Sequence, residues 1–177
     1  FGAEWVRAGL PETLTCLDLL PHYSWSNESL ALLPRGLRSV NISKLKKLND
    51  QGIALLPPHL TTLNASGSRY ITGVCFPDLP RGLTHLILDA GQSIRDDQIK
   101  FLPRGLTYLR IWGASMLSDA CFCHLPRRLS TLVLDGPSAH FSTAKIEFLP
   151  KSLKILTFAA ERSEERRVGK ECRSRWS

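Results

Sequence analysis

A Leu-Pro pair returns along this 177-residue chain at a fixed interval. Its prolines are Pro11, Pro34, Pro57, Pro80, Pro103, Pro126 and Pro150, spaced by 23 residues five times and then by 24. Each pair opens the same phrase, L-P-x-x-L-x-x-L-x-L, from LPETLTCLDL at the first copy to LPRGLTYLRI at the fifth and LPKSLKILTF at the last. A fixed period of this length means a stacked array, in which one supersecondary unit cannot bury its apolar face alone. Ordering one unit costs about 1–2 kcal/mol per residue in backbone entropy. Its five or six apolar side chains return only about 1.5–3 kcal/mol each. Neighbouring units must therefore share faces.

The second half of the unit repeats too. Apolar pairs five residues apart recur at Trp25/Leu30, Leu48/Ile53, Ile71/Phe76, Ile94/Ile99, Leu117/Phe122 and Phe141/Ile146. After the first member of each pair stands Ser26, Asn49, Thr72, Ser118 or Ser142, all good helix N-caps, with Arg95 the exception. An apolar residue before a cap and another at the fourth helical position form a hydrophobic staple. A helix of about two turns or less is expected there, stopped by the next Leu-Pro because proline lacks a backbone N–H. Gly36, Gly82 and Gly105 then suit a tight turn into the next strand.

The phrase resembles the strand segment of the leucine-rich repeat family, whose units of about 20–29 residues carry L-x-x-L-x-L. The resemblance covers residues 10 to about 158. It implies an α/β solenoid, a curved horseshoe segment with parallel strands on its concave face and short helices on its convex face. Strands about 4.8 Å apart would make a seven-stranded sheet roughly 29 Å wide. The chain departs from the family where many members place Asn or Cys, three residues after the last Leu. Here that position holds His22, Leu45, Ser68, Gly91, Ala114, Pro137 and Glu161, so the usual side-chain ladder is expected to be absent. The convex half resembles the cysteine-type and F-box-associated repeats: Asn49-Asp50 and Ser118-Asp119 match, while Thr72-Gly73 and Ser142-Thr143 match at the cap only. No F-box stands in this sequence.

In domain terms, residues 1–9 read as part of a preceding unit. Residues 10–161 form six full repeats plus the strand of a seventh, and residues 162–177 a charged tail. The chain begins at Phe1 without a capping element and is expected to be a fragment of a longer array. The tail resembles a foreign segment that recurs on unrelated proteins in translated sequence assemblies; the alternative is a native charged tail. Either should be mobile, since Val168 and Trp176 are its sizeable apolar residues.

Charge points two ways. The chain has 23 Lys and Arg against 16 Asp and Glu, and without the residues from Glu161 onward the body keeps 17 against 12. Much of the excess falls just after Leu-Pro, at Arg35, Arg81, Arg104, Arg127, Arg128 and Lys151, which should line up along one edge. Such an edge can attract acidic protein, anionic lipid or nucleic acid, or simply keep the array soluble. No aromatic residues are read as interleaved with it for base stacking, which favours the solvated edge.

The cysteines show no metal spacing: Cys16, Cys75, Cys121 and Cys123 read as small buried thiols, and Cys172 belongs to the tail. Cys75 and Cys121, two repeats apart, would stand about 10 Å from each other, too far for a disulfide. A reducing, intracellular (cytoplasmic) setting is expected. No apolar run approaches the 18 or so residues of a membrane span. The five histidines fall at unrelated repeat positions and the glycines are spread as turns require, so no catalytic residue, cofactor or metal is expected.

What remains is the concave face. Residues between and just after the strand leucines should point out of the sheet. In the second and third strands these are small and polar, at Ser39, Asn41, Ser43, Thr62, Asn64 and Ser66. The fourth to sixth place Tyr108, Arg110 and Trp112 at the centre of a patch flanked by His85, Ile87, Asp89, Val133 and Asp135. Tyr, Trp and Arg dominate binding hot spots. The competing reading pairs Arg110 with Asp89 or Asp135 and packs Trp112 under a loop. The expected function is a non-catalytic, monomeric module that binds another protein, within a larger scaffold or ubiquitin-ligase receptor. The alternatives are nucleic-acid or anionic-surface binding along the arginine edge, or a structural spacer.

Overall fold

The computed structural model describes residues 9–19, 25–89, 93–136 and 141–159. Seven strands form one parallel sheet in chain order: β1 Cys16–Asp18, β2 Ser39–Asn41, β3 Thr62–Ala65, β4 His85–Asp89, β5 Tyr108–Trp112, β6 Thr131–Asp135 and β7 Ile155–Ala159. The register follows the sequence period: Leu17, Val40, Leu63, Leu86, Leu109, Leu132 and Leu156 stand side by side. Every strand runs the same way because each connection crosses back over the same side. The chain is thus an α/β solenoid of leucine-rich repeat type, with short helical segments on the other side of the sheet.

Side chains alternate as a half-buried strand demands. Leu86, Leu88, Leu109, Ile111, Leu132 and Leu134 are buried, while His85, Ile87, Tyr108, Arg110, Thr131 and Val133 remain at least partly open. The staple pairs close the far side of the core, and all are buried except the last, where Ile146 is 50 % exposed. Each interior repeat is covered by the next, whereas no described repeat covers Ile146, Leu156 or Phe158. Within that last layer Phe141 stacks on Phe158 at 4.6 Å and on Phe122 at 5.4 Å.

The helical segments are shorter and tighter than the staple alone suggests. Among the described residues only Asn27–Leu30 and Asp50–Ala54 are α-helical; Phe76–Asp78, Asp96–Phe101, Asp119–His124 and Thr143–Phe148 are 3₁₀. With about 2.0 Å of rise per residue, a 3₁₀ turn reaches the next Leu-Pro in fewer residues than an α-helix could. Asn49 and Ser118 cap as expected, accepting from Gln51 N at 3.0 Å and Ala120 N at 3.1 Å. Thr72 does not cap its segment, which begins after Cys75.

Thr72 takes part instead in a ladder between repeats that the sequence reading missed. The Asp50 carboxylate accepts from Thr72 N at 2.8 Å and Thr72 Oγ1 at 2.6 Å. Two repeats further along, Asp96 accepts from Ser118 N at 2.9 Å and Ser118 Oγ at 2.7 Å. Ser142 Oγ donates to Asp119, and Asn27 and Asn49 make the neutral version of the same rung. The rung between them is missing where Gly73 has no side chain. There Gln98 lies against Gly73 and accepts from Arg95 N at 2.8 Å. The carboxylates read as helix-dipole partners therefore also tie each repeat to the following one.

A second ladder runs along the entry to the strands. Thr61, Thr84, Thr107 and Ser130 each donate a hydroxyl to the carbonyl of the preceding repeat, at 2.9–3.1 Å. At the position where family members place Asn or Cys, Ser68 is buried and donates to Leu45 O at 3.3 Å, so one such rung does exist. Among the described residues the left-handed backbone positions are Gly9 (φ 89°), before the first Leu-Pro, and three strand exits, at Lys44 (φ 64°), Gly67 (φ 81°) and Gly113 (φ 72°). At Gly82 and Gly105 an added Cβ would meet only ordinary contacts at 3.5 Å, and Arg128 stands at the equivalent place in another turn.

The thiols divide into two pairs. Cys75 and Cys121 are buried and unbridged, but Cys16 and Cys123 are exposed, which corrects the expectation for those two. Burial pushes the Cys75 and Cys121 thiols well above the usual range, reinforced by Asp50 beside Cys75 and Asp96 beside Cys121. Iodoacetamide at mildly alkaline pH should therefore alkylate Cys16 and Cys123 in the native protein and spare the buried pair until denaturant is added. Peptide mapping by mass spectrometry reads this directly; early labelling of Cys75 would contradict it.

Candidate functional site on the open sheet face

Strands β4, β5 and β6 bring all eight expected patch residues onto one region of sheet. In register, His85 stands beside Tyr108 and Thr131, Ile87 beside Arg110 and Val133, and Asp89 beside Trp112 and Asp135. Parallel pairing in register with a side-chain period of two leaves no other arrangement.

The patch is internally braced. The His85 and Tyr108 rings stack with centroids 5.8 Å apart and planes at 18°. Thr84 Oγ1 lies 3.0 Å from His85 Nδ1 and orients the imidazole. The Arg110 guanidinium carbon lies 3.8 Å from the Trp112 ring centroid. From there Nε and one terminal nitrogen donate to Asp135 Oδ2 at 3.1 and 3.0 Å. This is the only ion pair among the described residues.

Asp135 differs from the expectation. It was read as an exposed flank, but it is 5 % exposed, held beneath the guanidinium. The pairing of Arg110 with Asp135 is one of the two partners the competing reading allowed. A carboxylate this buried needs its cation, since an unpaired buried charge costs several kcal/mol. Its second oxygen, Oδ1, and Ser115 Oγ are buried without a hydrogen-bond partner among the described residues. Arg110 is thus less a free contact than a clamp, and the surface open to a partner consists of Tyr108, His85, Ile87, Val133, Asp89 and part of Trp112.

Arg35, Arg81, Arg104, Arg127, Arg128 and Lys151 are all exposed. Among the described residues no group of three or more His, Cys, Asp or Glu side chains could hold a metal ion, and no helix is long and apolar enough to cross a membrane. The residues expected to be foreign tail, 162–177, and His22 and His140 lie outside the described residues.

No family model matches the chain, and no curated protein matches it. Among solved structures it is similar to one in the crystal structure of the Rad7 and Elc1 complex in yeast, at 13 % identity and a TM-score of 0.45. The match covers 92 % of this chain, which spans 60 % of that one.

Proposed function

We propose that the chain is a non-catalytic module that binds another protein through the open, concave face of β4, β5 and β6. The observation that carries this reading is the braced cluster of Tyr108, Trp112 and Arg110. Large rings on a sheet face gain little from solvent, and clamping them beforehand lowers the entropy lost on association. Stacking on His85 and on the guanidinium fixes both rings before any partner arrives. The module's role, substrate recognition within a larger scaffold or ubiquitin-ligase receptor, rests on the resemblance of the convex half to F-box-associated repeats.

The test is a pull-down with the full chain from source lysate beside the Tyr108→Ala/Trp112→Ala double variant. Loss of two hot-spot rings should weaken the specific partner by at least about 30-fold, with the melting curve little changed. Arg110→Ala is unsuited to this purpose, because it strands the Asp135 carboxylate. A partner retained equally by the folded double variant would remove the sheet face as the site. Capture of nothing specific would favour a structural spacer.

A further inference from the structure

The position just before each Leu-Pro carries a second row of exposed side chains. It holds Leu32, Leu55, Asp78, Phe101, His124 and Phe148, one per repeat, and every one of them is exposed. In the last three repeats the residue is a ring. Phe101 is 49 % and Phe148 50 % exposed, far more than a core phenylalanine. None of the three rings touches another ring among the described residues. The sequence reading had found no aromatics along the cationic edge; the structure corrects it.

Each ring stands three residues before a cation. Leu102 has φ −59° and ψ 146°, and Leu125 has φ −61° and ψ 144°. These are polyproline II values, for which residues three apart point the same way about 9 Å from each other. The intervening Leu102, Pro103, Leu125 and Pro126 are buried. Phe101 and Arg104, and His124 and Arg127, thus stand exposed on either side of a buried Leu-Pro; the sequence places Phe148 and Lys151 alike. In the turn that follows, Pro103 O accepts from Leu106 N at 3.2 Å and Pro126 O from Leu129 N at 3.1 Å. The central N–H groups of those turns, on Arg104 and Gly105 and on Arg127 and Arg128, take part in no hydrogen bond among the described residues. Each of these turns therefore presents a ring, a cation and free backbone donors.

We infer that this edge of the last three repeats is a track for single-stranded nucleic acid, with one ring and at least one cation offered per repeat. The ligand class follows from the pairing of a ring with a cation in each of these repeats. A single strand repeats an anion and a flat π-face with every nucleotide, and repeat proteins can present one base-contacting position per repeat. An acidic peptide repeats the charge but not the flat face. A duplex keeps its bases stacked and out of reach. Lys100 Nζ already lies 4.9 Å from the Phe101 ring centroid, so one face of that ring meets a cation and a base would take the other. This surface is separate from the β4–β6 patch, and the inference does not rest on the protein-binding reading.

The probe is a fluorescein-labelled oligothymidylate of about ten nucleotides, within the usual range of site sizes. Fluorescence anisotropy would follow the full chain from about 50 to 200 mM salt, beside a duplex of equal length, heparin, and phosphatidylserine vesicles. Three or four phosphate contacts give a log–log salt slope of about −2 to −3. Phe101→Ala/Phe148→Ala should weaken the single strand by roughly tenfold or more while keeping that slope, and Phe→Trp at both positions should restore it. Arg104→Ala/Arg127→Ala should flatten the slope by about 1.4. Tyr108→Ala/Trp112→Ala should change neither. All these side chains are at least partly exposed, and the melting curve of each variant confirms the fold. Unchanged affinity in the phenylalanine variant would overturn the inference, as would heparin or duplex binding as tightly as the single strand. Binding to vesicles alone, or no binding at low salt, would overturn it as well.

Discussion

Leu109→Ala is expected to lower the free energy of unfolding by about 3–5 kcal/mol, the range for a large-to-small change at a site that cannot collapse. Leu109 is 0 % exposed, stands in the middle strand of the last five, and is flanked in register by Leu86 and Leu132. Its neighbour on the opposite sheet face provides the control. Tyr108→Ala removes a larger side chain, yet should cost about 1 kcal/mol or less, because that ring is partly in water and loses only its stacking on His85. Urea titration of both variants reads the difference as a shift in midpoint. Because a solenoid repeat touches only its neighbours, the defect should also weaken the coupling of β4 to β6. Amide exchange would then show lower protection in both flanking strands, and a change confined to β5 would contradict the stacking account. Equal costs at positions 108 and 109 would contradict the assigned faces.

Asp96→Ala should cost about 2–3 kcal/mol, although this residue is only partly buried and lies outside the apolar core. The carboxylate accepts two hydrogen bonds from Ser118, and bonds to a charged acceptor contribute about 1.5–3 kcal/mol each before losses to water. Asp97 is the internal control: exposed, next in sequence, and without a hydrogen-bond or ion-pair partner among the described residues, it should tolerate Ala within about 0.5 kcal/mol. Ser118→Ala removes the hydroxyl rung and the cap on Ala120 N together, for about 1 kcal/mol. A double-mutant cycle between Asp96 and Ser118 should give a coupling of about 0.5–3 kcal/mol. If Asp96→Ala and Asp97→Ala proved equally mild, the ladder would be no more than a surface decoration. The same reasoning explains why two repeats manage without a rung: Gln98, held against Gly73, supplies the acceptor that Arg95 N needs.

The two ladders show where sequence pattern stops being legible. The hydroxyls of Thr61, Thr84, Thr107 and Ser130 recur in the sequence at one position, and so does an acidic residue after half of the cap positions, at Asp50, Asp96 and Asp119. Neither pattern says that the partner is in a neighbouring repeat rather than in the same segment. An isolated helix would use Asp96 at its own N-terminus. Only the lateral offset between stacked segments brings Ser118 within 3 Å of it.

The candidate patch divides in the same way. That Tyr108, Arg110 and Trp112 share a sheet face with His85, Ile87, Asp89, Val133 and Asp135 follows from a period of two and a register set by the 23-residue repeat, both readable without coordinates. That Asp135 is buried, that both Arg110 donors go to one of its oxygens, and that the guanidinium lies over Trp112 do not follow. They depend on side-chain rotamers, which the packing of adjacent strands selects. The rings beside the cationic edge were likewise hidden, since Phe101 and Arg104 stand exposed on either side of two residues whose burial must be seen first.

The sequence by itself determined the repeat, the direction and register of the strands, and the apolar residues that face inward, because a unit of 23 residues that cannot fold alone has one way to stack. Tertiary structure alone decided which polar side chains bridge one repeat to the next, which charges are spent within the protein, and which rings remain open. Those outcomes turn on distances of about 3 Å between residues 22 to 25 positions apart, and a repeating pattern does not encode them.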